Sequence, residues 1–299
     1  MTINKPNLLI VGAAKAGTTS LAQLLGKHQD VFLHKIKEPR YFVGSYLREI
    51  SDEDPLKKHI LDSSVLEKSS YFKMYDVKEK IKIDASVHYL YHHEIAIKRI
   101  KKELGDVPII IMIRNPINRL VSNYNYLKSY NLDSIEVEIF KEQEKKQKGY
   151  NSFWFLKEQG LYSHSIKAYK ENFSEVKIIL FEEFVKDTSL IIQECLTWLG
   201  LSEYKHKVNF NKVSNPSIEP NIMYKVLKRL KLISIFKYFF SNIKYFNSLK
   251  NDLLYKKAIT ELSLKQRLKL EDYYKRDIMN LEKQHNLNLY LWRHSNDNF

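Results

Sequence analysis

Lys15, Thr18, Thr19 and Ser20 stand in a short stretch, GAAKAGTTS (Gly12–Ser20), that also holds two glycines five positions apart. One ammonium group, three hydroxyls and backbone N–H groups freed by glycine suit a phosphate-like anion. The glycine spacing is that of the nucleotide triphosphate loop GxxxxGK[ST], yet Thr18 stands where that loop carries lysine, and Lys15 comes earlier. The stretch suits a phosphate without following the ATPase pattern. Farther on, Arg114 and Ser122, in RNPINRLVSNYNY (Arg114–Tyr126), offer a planar guanidinium fork and a hydroxyl that can grip one further phosphate.

These groups need elements that aim them. The apolar run Leu8–Val11, bounded by Gly12, reads as a buried strand, and the Thr-Thr-Ser cluster opens a helix whose positive end faces the loop. VPIIIMI (Val107–Ile113) reads as a central parallel strand, which puts Arg114 at a strand's C-terminal end, where open α/β sheets bind ligands. Pro116 ends that strand, and Leu120, Val121, Tyr124 and Leu127 repeat at helical spacing from Asn118 on, with Ser122 in the first turns. The predicted order is strand Asn7–Val11, helix Thr18–Lys27, strand Val31–Leu33, variable helices, strand Lys82–Asp84 and helix Glu94–Leu104. Strand Val107–Ile113, helix Asn118–Tyr130, strand Val176–Phe181 and mostly helices complete it. Alternating strands and helices predict an α/β fold with a parallel sheet and right-handed crossovers. One domain over 1–299 is expected.

The two motifs, in this order and with this strand pattern, resemble the sulfotransferases that use 3′-phosphoadenosine 5′-phosphosulfate (PAPS). The resemblance implies that Lys15, Ala16, Gly17, Thr18, Thr19 and Ser20 hold the 5′-phosphosulfate, and that Arg114 and Ser122 hold the 3′-phosphate. KIKEPRYF (Lys35–Phe42) is similar to a segment of the glycan-acting branch, whose acid is the general base; here that position is Glu38. An attacking hydroxyl or amine must lose a proton, and a carboxylate in reach can take it. IDASVHYL (Ile83–Leu90) resembles the segment lining the acceptor cleft, which implies substrate contacts for Asp84, Ser86 and His88. Val87 replaces that segment's proline, and Ala85 stands where some animal members carry a catalytic lysine, so Lys15 is left as the main electrophile. GLYSHSIKAYKENF (Gly160–Phe173) with VKIILFEEF (Val176–Phe184) matches the family's helix and last strand, and Tyr162 is carried over to the nucleotide site. FNKVSNPSIEP (Phe210–Pro220) resembles the loop closing over the nucleotide, which carries over Lys212 and Ser214. Tyr273–Trp292 is similar to the terminal helix and its closing tryptophan. The implied fold is a P-loop-like parallel sheet flanked by helices, with a helical C-terminal cap at 222–262. The implied reaction is in-line transfer of a sulfuryl group from PAPS to a carbohydrate or lipid-linked glycan, without a metal.

Composition agrees with this reading. A chain of 299 residues with 44% hydrophobic content can bury a sizeable core. Its one cysteine, Cys195, precludes an internal disulfide and reads as a small buried hydrophobe. With no spanning helix, secretion signal or tether, a bacterial-type cytoplasmic enzyme is expected, with association at the inner face of the membrane left open. The net charge of +14 comes without a nucleic-acid module, so nucleic acid is not the expected partner. Solvated helix faces account for much of the charge; an anionic substrate or a membrane surface shares the rest. Ile222–Phe246 mixes Leu, Ile and aromatic residues with Lys225, Lys228, Arg229, Lys231, Lys237 and Lys244. It has two readings, an interfacial membrane helix and a helical hairpin over the acceptor cleft. His92 and His93 lack metal-ligand partners at useful spacing, so no metal site is expected. His28 reads as ending the first helix, Lys141–Lys148 as a solvated helix face, and 52–75 as an insertion above the sheet. Two other functions stay open: a P-loop kinase of nucleotides or small molecules, and a non-catalytic basic peripheral membrane protein on the same fold.

Overall fold

The computed structural model describes residues 5–130, 132–210, 218–220, 255–257 and 260–294. Five strands, β1 (Leu8–Gly12), β2 (Val31–Leu33), β3 (Ile81–Ala85), β4 (Ile109–Ile113) and β5 (Val176–Leu180), form one sheet in the order β2-β3-β1-β4-β5. Every pairing is parallel. β1 and β4 are buried along their whole length, as continuous aliphatic runs covered on both faces must be. Parallel strands share one C-terminal edge, so Gly12, Ala85, Ile113 and Leu180 all open onto the same rim. The loop after β1, His88 after β3, Arg114 after β4 and Phe181 after β5 meet there.

The helix Thr18–Leu25 begins where the Thr-Thr-Ser cluster predicts. The helix after β4 begins at Pro116, earlier than the apolar spacing alone indicates, because the Asn115 side chain accepts from Ile117 N and Asn118 N and so caps it. Phe181 leaves the strand to open the helix Phe181–Lys186. Cys195 is fully buried, and burial pushes its thiol up to about 12.

Three expectations are corrected. The 52–75 region is core rather than an outlying insertion: Ile60, Tyr71 and Tyr75 are buried, and the Tyr71 hydroxyl reaches Asp84 on β3. Within Lys141–Lys148, Glu142 is buried and accepts from Lys157 N at 2.8 Å and Glu158 N at 2.9 Å, so that helix has an inner face. His28 does not cap the first helix; its ring meets the Ser202 carbonyl at 3.0 Å and accepts from Asp30 N.

At the C-terminal end, the helix Leu264–His285 opens on a Ser263/Gln266 capping box. It packs on the helices Ser163–Asn172 and Pro116–Leu127, and Tyr274 donates to the Lys157 carbonyl. Lys212, Ser214 and the basic segment 222–246 lie outside the described residues. Inside the span expected to be a helical cap, Tyr255–Lys257 is instead a strand, antiparallel to Ile218–Pro220, and the ribbon lies against the helix Pro116–Leu127. No helix among the described residues is long and apolar enough to cross a membrane.

Candidate active site

The loop after β1 is shaped by two left-handed residues, Lys15 at φ 67° and Gly17 at φ 89°. Such turns draw successive N–H groups toward one point. Glycine is required at position 17, since a Cβ there would stand 2.8 Å from the Phe181 ring. Ala16 N closes the loop on Ala13 O, while Ser20 N and Leu21 N donate to Gly17 O. The N–H groups of Thr18 and Thr19, at the start of the helix, have no acceptor within it.

Phe181 joins the two phosphate motifs. Its ring packs beneath Gly17, and the Arg114 guanidinium stacks on it 4.4 Å from the centroid. Arg114 also donates from Nη1 to the Lys15 carbonyl at 3.4 Å. Its Nε is buried without a hydrogen-bond partner, and burial lowers its pKa. The strand end around it is clamped: Tyr162 donates its hydroxyl to the Arg114 carbonyl at 3.0 Å, and Glu182 accepts from both Asn115 N and Trp292 Nε1. Ser122 lies half-buried on the helix that Asn115 caps.

Lys15 points its ammonium at the face of Tyr126, 4.6 Å from the ring centroid. Burial first, and then the neighbouring Arg114 charge, push its pKa down to about 8, against the opposing pull of Glu38. No ion pair links Lys15 or Arg114 to a carboxylate among the described residues. A buried arginine nitrogen without an acceptor, a half-buried lysine without a counter-ion and a glycine cradle fit a multiply charged phosphate ligand.

Glu38 lies near enough to Lys15 to raise its proton affinity. Its Oε1 lies 2.9 Å from Lys37 Nζ and its Oε2 lies 2.9 Å from Arg40 Nη2. Burial alone would raise the Glu38 pKa, but the Lys37 and Arg40 charges outweigh it and hold the carboxyl down at about 2. Arg40 sits in the left-handed region, at φ 52°. From there it donates to the Glu38 carbonyl, to Ser63 Oγ at 3.0 Å and, through Nε, to His88 Nδ1 at 3.3 Å. His88 is buried; desolvation and Arg40 hold it neutral, and its Nε2 faces Asn151 Nδ2 at 3.5 Å.

The structure thus brings together Lys15, Gly17, Thr18, Thr19, Arg114 and Glu38, with His88 behind Glu38. It moves three residues into supporting places. Asp84 is fully buried and accepts from Tyr71, Tyr89 and Ser86, so no lone pair is directed at an acceptor. Ser86 is spent between Asp84 and Arg40 N. Tyr162, also buried, holds the backbone of Arg114 instead of the nucleotide. Sequence reasoning missed Lys37, Arg40, Tyr126 and Phe181. The charge alternation around Glu38 signals the first two; nothing local signals that Phe181 would reach Gly17.

A family model described as the sulfotransferase domain matches residues 5–222. The chain belongs to that family. It is similar to a solved sulfotransferase from Alicyclobacillus acidocaldarius, at 25% identity and TM-score 0.74, covering 97% of this chain and 99% of that one. Among curated proteins it is 23% identical over 198 residues to mouse heparan sulfate glucosamine 3-O-sulfotransferase 3B1, covering 66% of this chain and 46% of that protein. It is 28% identical over 121 residues to the membrane-associated sulfotransferase kil1 of Dictyostelium discoideum, covering 40% of this chain and 23% of that protein. The chain thus spans less than half the length of these curated relatives. Family membership decides against the kinase reading, in line with Thr18 at the position of the missing loop lysine.

Proposed function

We propose that the protein is a PAPS-dependent sulfotransferase acting on a hydroxyl or amine of a carbohydrate or glycolipid, with Glu38 as general base. The observation that carries this is the cation pair Lys15 and Arg114, without a carboxylate ion-pair partner among the described residues, with Arg114 stacked on the Phe181 ring beneath Gly17 and an ionised Glu38 near Lys15. PAPS supplies an activated sulfuryl group whose sulfur–oxygen bond breaks as the acceptor oxygen or nitrogen bonds to sulfur. Lys15 and the N–H groups at the start of the helix Thr18–Leu25 stabilise charge growing on the bridging oxygen of the leaving nucleotide. Arg114 and Ser122 hold the 3′-phosphate, which separates this donor from ATP. Glu38 takes the proton of the attacking group, and Arg40 and Lys37 fix the carboxylate in place.

A glycan acceptor is supported by the heparan sulfate relatives, and a lipid-linked one by the basic segment 222–246 together with the membrane-associated relative. On this reading 1–299 acts as one domain, with 222–262 over the acceptor. The test is calorimetry with 3′-phosphoadenosine 5′-phosphate (PAP) and with ADP, both without magnesium. PAP should bind and ADP bind poorly, and Arg114→Ala should weaken PAP by about 2–5 kcal/mol. Equal affinity for PAP and ADP would sink the 3′-phosphate assignment. PAP binding without sulfuryl transfer to any of a panel of glycans and glycolipids would favour a non-catalytic binding protein.

A further inference from the structure

His93 reads from sequence as a residue without ligand partners, and folding corrects that. His93 begins the helix His93–Leu104, and His164 stands in the first turn of the helix Ser163–Asn172; the two helices pack together. Their imidazole rings lie 5.0 Å apart at 75°. One ligand atom from each of His93, Glu94 and His164 falls within 4.8 Å of the others. Both ring nitrogens of His93 are buried without a well-formed hydrogen bond, with the Leu90 and Tyr91 carbonyls as weak neighbours, an arrangement that costs free energy unless something accepts or donates there.

We propose that His93, Glu94 and His164 form a binding site for one divalent ion of the zinc type, completed by water. Two imidazoles and a carboxylate are the donors such ions prefer, and three protein ligands with a water make a four-coordinate site. Bonds of about 2.05 Å at tetrahedral angles set ligand atoms about 3.3 Å apart. The exposed side chains of Glu94 and His164 can close the remaining gap by rotation. The Glu94 carboxylate offsets the positive helix ends on which the ligands stand. The ion would tie the segment after His88 to the segment that starts at Tyr162, which holds the Arg114 carbonyl. It would brace the sheet rim without entering the transfer reaction.

The test uses untagged full-length protein, stripped with chelator and titrated with Zn²⁺ alone by calorimetry, with Co²⁺ absorption as a second probe. The expected result is one site per chain, a rise in melting temperature with Zn²⁺, and visible bands for Co²⁺ in a tetrahedral N/O field. His164→Ala removes an exposed ligand, so the metal-free variant should melt like the wild type. It should lose Zn²⁺ affinity by at least about tenfold, since even outer partners of metal ligands cost that much. Glu94→Gln should also weaken binding. Absence of stoichiometric Zn²⁺ binding, or equal binding by wild type and His164→Ala, overturns the site.

Discussion

The proposed nucleotide side and the proposed acceptor side of the site carry charge in opposite ways. On the nucleotide side Arg114 stands close enough to Lys15 to lower its proton affinity, and the partners of the two are aromatic faces and a carbonyl. On the acceptor side Glu38 has a cation at each oxygen, and Arg40 is spent on Glu38, Ser63 and His88. One half stores electrostatic repulsion that a bound polyanion relieves; the other is a closed network that already has its working geometry. Affinity for the donor should therefore reside in the first half and proton transfer in the second.

The largest expected effect breaks the second half. Glu38→Gln keeps shape and removes the base, so turnover should fall by roughly 10²–10⁴-fold while PAP affinity stays near wild type. With its carboxyl held at about 2, Glu38 stays ionised far below neutrality. The pH profile of kcat/KM should therefore show no acid limb at the ordinary carboxylate range. Near-wild-type turnover of the glutamine variant would remove Glu38 as base and leave His88 as the next to test, whereas an acid limb in that range which the variant abolishes would keep Glu38 as base and overturn its lowered pKa.

Lys15→Ala probes the other half and should damage both binding and turnover, by roughly 10²–10³-fold in kcat. Because its pKa sits at about 8, the free enzyme loses this positive charge as pH rises through that value. The kcat/KM for PAPS should fall on that alkaline limb. A bound anion favours the charged lysine, so the limb in kcat should lie at higher pH. Lys15→Arg should abolish the kcat/KM limb, and a limb that persists in it belongs to another group.

The two halves also differ in how far the sequence exposes them. The nucleotide half is local: glycine spacing, a Thr-Thr-Ser helix start and an aliphatic strand before Arg114 each fix geometry within a few residues, and these elements fold where expected. The acceptor half is assembled over long distances in the chain. Arg40 meets Ser63 and His88, Asn151 reaches His88, and Asp84 is consumed by Tyr71 and Tyr89. No periodicity announces such pairings, so Asp84 and Ser86 read as ligands when they are supports. The same limit hid His164 from His93.

Asp84 gives a third, smaller effect confined to that closed network. Burial raises its pKa from 3.8 to about 6, against the three hydroxyls that hold its charged form. A carboxyl raised in the folded state contributes stability that is present below its unfolded pKa and lost as pH climbs through the folded one. Between about pH 4 and pH 7 the wild type should lose about 2 kcal/mol relative to Asp84→Asn, read from urea midpoints of both proteins. A flat difference over that window would show that the hydroxyls, not burial, set its titration.

Ser122→Ala gives the smallest effect and separates charge from shape on the nucleotide side. On the proposed reading Arg114 brings a full charge and a buried, unpartnered nitrogen to the 3′-phosphate, whereas Ser122 offers one hydroxyl from a half-buried helix position. A hydrogen bond to a charged group contributes about 1.5 kcal/mol at its lower end, which is about tenfold in affinity. PAP should weaken by that factor, while ADP, lacking the 3′-phosphate, should bind the variant and the wild type alike. The helix itself should be unharmed, since alanine is the better helix former and the cap is made by Asn115. Equal losses for PAP and ADP would place Ser122 elsewhere on the nucleotide, and no loss for either would leave Arg114 as the sole reader of the 3′-phosphate on this helix and strand.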